Sequence, residues 1–119
     1  MKLSLNLLVL RCKDLEVTRR FYEHLGLIFS KEQHGKGPEH YSWENAGFVL
    51  ELYPVIKDQA PDQVRVGFST HLLADIAGNI RHSSGITVLE QAYATSDRIV
   101  MVLQDPDGRK VEVSQALHR

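Results

Sequence analysis

Cysteine is nearly absent from this chain. Cys12 stands alone among 119 residues, so no internal disulfide can form and no paired-cysteine metal or redox motif exists. That usage fits a reducing compartment, and a cytoplasmic location is expected. A dominant charge is also missing: 14 Lys and Arg face 15 Asp and Glu, for a net charge of −1 with His neutral. The electrostatic case for nucleic acid or an anionic membrane surface therefore falls away. No apolar run approaches the roughly 20 residues of a transmembrane helix. The segment Met1 to Arg11 comes nearest to a signal peptide, but Ser4 and Asn6 interrupt its apolar part and it lacks a small-residue cleavage site, so it reads as a strand. No Ser-His-Asp arrangement, phosphate loop or basic patch stands out.

What is present describes one ordinary globular domain, with 43% hydrophobic and 24% charged residues. A strand is expected from Leu3 to Cys12, followed by a helix from an Asp14 N-cap to about Leu25, with Gly26 as its stop. Leu27 to Gln33, Glu39 to Glu44 and Phe48 to Tyr53 read as strands, the last two joined by a turn at Asn45-Ala46-Gly47. Pro54 to Asp62, with two of the four prolines, reads as a linker. The pattern then recurs. A strand from Gln63 to Thr70 leads to a helix from His71 to His82 that ends at Gly85. Strands follow at Ile86 to Thr95, Arg98 to Leu103 and Lys110 to Ser114. Asp105-Pro106-Asp107-Gly108 turns the last hairpin, with proline pre-setting one dihedral and glycine accepting a positive φ. The expected class is α+β, with module one at about residues 1–55 and module two at about 63–117.

The two halves share a local signature. Gly47 precedes Glu51 by four residues, and Gly108 precedes Glu112 by the same spacing, with a constant offset of 61 (108 − 47 and 112 − 51). Alternation places Val111 and Val113 on one face and Lys110, Glu112 and Ser114 on the other. Two strand carboxylates in equivalent places imply a pseudo-symmetric site.

The chain resembles the vicinal oxygen chelate superfamily, which includes glyoxalase I, fosfomycin- and bleomycin-resistance proteins and extradiol dioxygenases. Leu10-Arg11-Cys12-Lys13-Asp14-Leu15, Phe21-Tyr22-Glu23-His24-Leu25-Gly26-Leu27, Phe48-Val49-Leu50-Glu51-Leu52 and Asp105-Pro106-Asp107-Gly108 carry the resemblance. It implies two βαβββ modules whose curved mixed sheets enclose a cleft, and a homodimer. It also implies a site for a divalent metal (Zn, Ni, Mn or Fe), with one ligand from each module's first strand and one Glu from its last. Glu51 and Glu112 match the Glu positions. The first-strand positions fall on Leu7 and Arg65, which offer a metal no lone pair. No metal or other cofactor is therefore expected; if one binds, Glu51 and Glu112 are its ligands.

Strand parity predicts a cleft lined by Arg11, Glu51, Tyr53, Arg65, Lys110 and Glu112. Arg65 is expected between the two glutamates in place of a metal's charge, since its planar fork suits carboxylates. Arg11 is a candidate anion anchor. The six histidines, His24, His34, His40, His71, His82 and His118, fall on no ligand position of the family, and solvated or capping roles are expected for them. His40 would face the cleft if its strand register were shifted. Tyr41 and Trp43 share a face, where core or dimer packing is expected ahead of stacking on a ligand, and Cys12 should be buried on the helix side.

Three functions compete. The first is a bleomycin-resistance-like binder of a small polar or anionic molecule. The second is a metal-dependent lyase or dioxygenase. The third is a non-catalytic structural or regulatory protein that keeps only the fold. No catalytic residue is assigned.

Overall fold

The computed structural model describes residues 2–83 and 85–117. His118 thus lies outside the described residues. The chain divides into two compact units, Met1–Glu23 with Leu27–Asp62 and His24–Gly26 with Gln63–Arg119. The first half runs β1 (Leu7–Cys12), α1 (Leu15–His24), β2 (Ser30–Glu32), β3 (His40–Asn45) and β4 (Phe48–Pro54). The second repeats that order as β5 (Val66–Ser69), α2 (Leu73–Arg81), β6 (Thr87–Ala94), β7 (Arg98–Gln104) and β8 (Lys110–Ala116). The architecture is α+β, two βαβββ modules. Among the described residues no helix is long and apolar enough to cross a membrane.

In the first unit the strand order is β1-β4-β3-β2, with β1 parallel to β4 and the other pairs antiparallel. Leu10 and Tyr41 both pair with Leu52, and Leu8 and Trp43 both pair with Leu50. Side chains alternate across a strand, so these apolar residues share one face. The Tyr41 hydroxyl donates to Glu16 of α1, which fixes this face as the helix side. Cys12 continues the same face and is fully buried, the small hydrophobe expected.

Helix α1 begins where Asp14 Oδ1 accepts the N–H groups of Glu16 and Val17 at 3.1 and 3.2 Å. Those donors have no partner inside the helix, and an N-cap carboxylate supplies one. Phe21 and Tyr22 are buried and meet edge to face. The β3–β4 hairpin turns through Ala46 and Gly47, both at positive φ (51° and 85°), the combination that matches the twist of paired strands.

Three expected strands are each four residues shorter in the structure. β1 begins at Leu7, the residue that pairs with Val49 as β4 leaves its turn. The strand expected over Leu27 to Gln33 contracts to Ser30–Glu32, because the Leu27 N–H turns back to the Tyr22 carbonyl at 3.3 Å. β5 begins only at Val66, opposite Val111. Ahead of it, Gln63 donates its side-chain amide to the Asp107 carbonyl at 2.8 Å. The second helix also starts later than expected, at Leu73. Gln115 Oε1 accepts the Leu73 N–H and Thr70 Oγ1 the Leu72 N–H, each at 3.0 Å.

The second unit has strand order β5-β8-β7-β6, again with one parallel pair, β5 with β8. Val66, Met101, Leu103, Val111 and Val113 form its buried face. The Asp105-Pro106-Asp107-Gly108 turn closes with Gly108 at φ 91° and its N–H on the Asp105 carbonyl at 3.0 Å. Arg109 then folds back under the turn, fully buried, and bonds Asp105 Oδ2 and Asp107 Oδ2 at 3.0 and 3.1 Å. At the outer edge β6 is mostly exposed. Its pairing with β7 shifts register between Val88 and Glu90 and again between Glu90 and Tyr93.

Candidate functional site

The face of the first sheet turned away from α1 is polar. Glu51 pairs with Val9 on one side and Ser42 on the other. Two residues along the same face, Arg11 pairs with Tyr53 and His40 pairs with Glu32. Arg11, Tyr53, His40 and Glu32 thus form a row across all four strands. The Arg11 guanidinium lies 5.0 Å from the Tyr53 ring centroid, while Tyr53 stacks on His40 at 4.1 Å and 10°. His34, from the loop between β2 and β3, closes the series with its ring 5.0 Å from that of His40.

Arg11 is held by its backbone as well as its side chain. Its N–H donates to Asp62 Oδ2 at 2.7 Å and its guanidinium to the Pro54 carbonyl at 3.3 Å. Burial, and after it the charge of Glu51, push the Tyr53 phenol above its ordinary range, with Arg11 acting in the opposite sense. Tyr53 therefore stays a neutral hydroxyl at physiological pH.

His40 is 1% exposed. Its Nδ1 is 3.3 Å from the Pro38 carbonyl, an acceptor that requires a proton on that nitrogen. Its Nε2 faces Glu32 Oε1 at 3.4 Å, Glu51 Oε2 at 3.6 Å and the Tyr53 hydroxyl at 3.3 Å. Glu32 Oε1 is also 3.9 Å from His34 Nε2. Glu32, His34, His40 and Glu51 together offer four potential ligand atoms within 4.8 Å of one another.

The equivalent face of the second sheet is organised differently. Glu112 pairs with Gly67 on β5 and with Val102 on β7. Its carboxylate meets Arg65 at 3.3 Å and Arg98 at 3.7 Å. A Cβ added at Gly67 would stand 3.8 Å from Glu112 Oε2, so the residue directly opposite the glutamate contributes no side chain. Lys110 shares this face and is exposed.

Several sequence expectations can be placed on this geometry. Glu51 and Glu112 occupy matching positions, each on its sheet's fourth strand beside the first. Their direct partners are Val9 and Gly67; Leu7 and Arg65 lie two residues earlier. None of these four residues offers a donor to a metal, so the family's four-ligand arrangement does not fit this chain. Arg65 is a partner of Glu112, while Glu51 has His40. The histidine reading needs correction: His40 is buried and shares the face of Glu51 with no shift of register. Once Tyr41 and Trp43 take the helix side, parity alone puts it there. Glu32, His34 and Arg98 were missed, because their relevance depends on cross-strand pairing that no local motif encodes.

The sequence model of the Glyoxalase/Bleomycin resistance protein/Dioxygenase superfamily matches residues 4–113, and the chain belongs to that family. No curated protein sequence matches it. Among solved structures it is similar to an integron cassette protein from the mobile metagenome of V. cholerae, at 26% identity and TM-score 0.69, covering 97% of each chain. It is also similar to TnmS3, an antibiotic binding protein from a Streptomyces species, at 20% identity and TM-score 0.79, covering 98% of this chain and 99% of that one. A glyoxalase/dioxygenase from Nostoc punctiforme shares 18% identity with TM-score 0.79, covering 97% and 92%.

Proposed function

We propose that this protein binds a small polar or anionic organic molecule on the polar faces of its sheets, with no metal held by the family's four positions. The observation that carries the reading is the Arg11–Tyr53–His40 stack, with Arg11 5.0 Å from the Tyr53 ring and Tyr53 4.1 Å from His40. A guanidinium held at the end of an aromatic stack offers a small acid a fixed charge partner, and its planar fork suits both oxygens of a carboxylate. Glu51 and Tyr53 complete the recognition surface of the first module, and Arg65, Lys110 and Glu112 supply that of the second. The family includes bleomycin-resistance proteins, and a protein of the same fold is named as antibiotic-binding. Both support a binding role. A thermal-shift screen against small carboxylic acids and thiol conjugates tests it. The expected result is a stabilising hit that Arg11→Ala abolishes; hits unaffected by Arg11→Ala, or no hits, defeat the proposal.

A second reading, a metal-dependent lyase or dioxygenase, is favoured by the histidine–carboxylate cluster around His40 and by the Nostoc structure named as a glyoxalase/dioxygenase. Turnover of a thiohemiacetal or a catechol by metal-loaded protein, absent after chelation, would establish it.

A further inference from the structure

We infer that the first module carries a transition-metal site of its own, built from Glu32, His34, His40 and Glu51, which shares only Glu51 with the arrangement the family resemblance implies. The site shares His40 and Glu51 with the small-molecule reading above but does not rest on it. All four residues lie within one compact unit, on β2, the loop after it, β3 and β4. The donor set is two imidazoles and two carboxylates, with no thiolate. Imidazole selects a borderline ion of the Zn²⁺ or Ni²⁺ kind over Mg²⁺ or Ca²⁺, which prefer oxygen alone.

Three features of the geometry point to a cation. His40 is buried and its Nδ1 proton is committed to the Pro38 carbonyl, which leaves the Nε2 lone pair aimed at the carboxylates. A backbone carbonyl in that role is the usual outer-shell partner of a metal-binding histidine. Second, the Tyr53 hydroxyl 3.3 Å from Nε2 is a neutral donor, and a cation among these groups would balance the two carboxylates that converge there. Third, the separations suit a metal better than hydrogen bonds. Nε2 to the two carboxylates spans 3.4 and 3.6 Å, beyond good hydrogen-bond length. Ligands about 2.0–2.1 Å from a tetrahedral zinc ion stand about 3.3 Å apart, close to those values. His34, 3.9 Å from Glu32, is exposed and needs only a small swing to complete the set.

The test uses the full chain after exhaustive chelation, titrated with ZnCl₂ by calorimetry and with CoCl₂ by visible absorption. We expect one equivalent of Zn²⁺ per chain and a cobalt spectrum of nitrogen–oxygen ligation. Because His40 is buried, the exposed residues carry the mutational arm. His34→Ala and Glu32→Gln should each weaken binding by at least about 10-fold with unchanged circular dichroism. Glu112→Gln should leave the affinity as it is. Absence of Zn²⁺ binding, binding untouched by both His34→Ala and Glu32→Gln, or binding lost in Glu112→Gln would each overturn the site. No organic ligand enters this titration, so its failure leaves the ligand screen and its Arg11→Ala control intact.

Discussion

Arg109 and Asp105 form an ion pair with neither side chain exposed, Nη1 to Oδ2 at 3.0 Å. Asp105 Oδ1 meanwhile accepts the N–H groups of Asp107 and Arg109 at 2.9 and 3.0 Å. The turn between β7 and β8 is thus wrapped around a buried guanidinium. Removing one partner of such a pair strands a charge in the interior, at about 3–5 kcal/mol. Arg109→Met should lower the unfolding free energy by that amount in urea titration. Adding Asp105→Asn should recover part of the loss, since the amide oxygen still accepts the backbone bonds.

Glu112 gives the contrasting case. Its partners Arg65 and Arg98 are 51% and 43% exposed, and either can cover for the other. Exposed ion pairs contribute about 0–1 kcal/mol. Glu112→Gln and Arg65→Ala should each cost less than about 1 kcal/mol in the same assay. A loss as large as that of Arg109→Met would mean that Glu112 is desolvated in the protein's working form.

Gly108 sits at φ 91°, where a side chain strains the backbone, and a Cβ there would also come within 3.4 Å of Gln63 Oε1. Gly108→Ala should destabilise by about 1–2 kcal/mol. Gln63→Ala, which removes the close atom, should leave most of that penalty in place when combined with Gly108→Ala. Thermal unfolding of the single and double variants separates the backbone cost from the contact.

The Glu16–Tyr41 bond makes stability depend on pH at both ends of the range. The Tyr41 hydroxyl, and after it Arg19, hold the Glu16 carboxyl below its ordinary value of 4.5. A depressed acid stabilises the fold fully above its unfolded pKa, and that contribution fades as pH falls through the lower folded value. Conversely, the bond to Glu16 raises the Tyr41 phenol above 10.0. That contribution is present below 10.0 and fades as pH rises through the higher folded value. Tyr41→Phe should flatten the acid limb of a stability-against-pH curve. Ultraviolet titration should show two phenols, those of Tyr41 and Tyr53, ionising late in the wild type, and Tyr41→Phe should remove one of them.

Much of this fold could be read from local signals, because each acts within a few residues. Asp14 caps α1 as its position before the apolar stripe implies. Gly47 and Gly108 both adopt positive φ, so the 61-residue offset marks a true structural equivalence of Glu51 and Glu112. Cys12 is buried where alternation placed it. The site was less legible. The surroundings of Glu51 depend on how β2 and β3 align with β4, a long-range property that leaves no trace near Glu51 itself. His40 looked like one of six polar histidines, yet lies 3.6 Å from Glu51 only through that alignment. Arg109 carries no local signal of burial; its burial follows from its bonds to Asp105 and Asp107 across the turn.

The double register shift in β6 has a consequence for how the protein behaves at high concentration. An outermost strand with regular, unpaired backbone groups is a template on which other chains can zip into fibrils. Bulges twist that template out of alignment. β6 is eight residues long and mostly exposed, so its irregular pairing is what spoils it as a fibril seed. Straightening the segment between Val88 and Tyr93 by deletion would trade a harmless edge for an adhesive one.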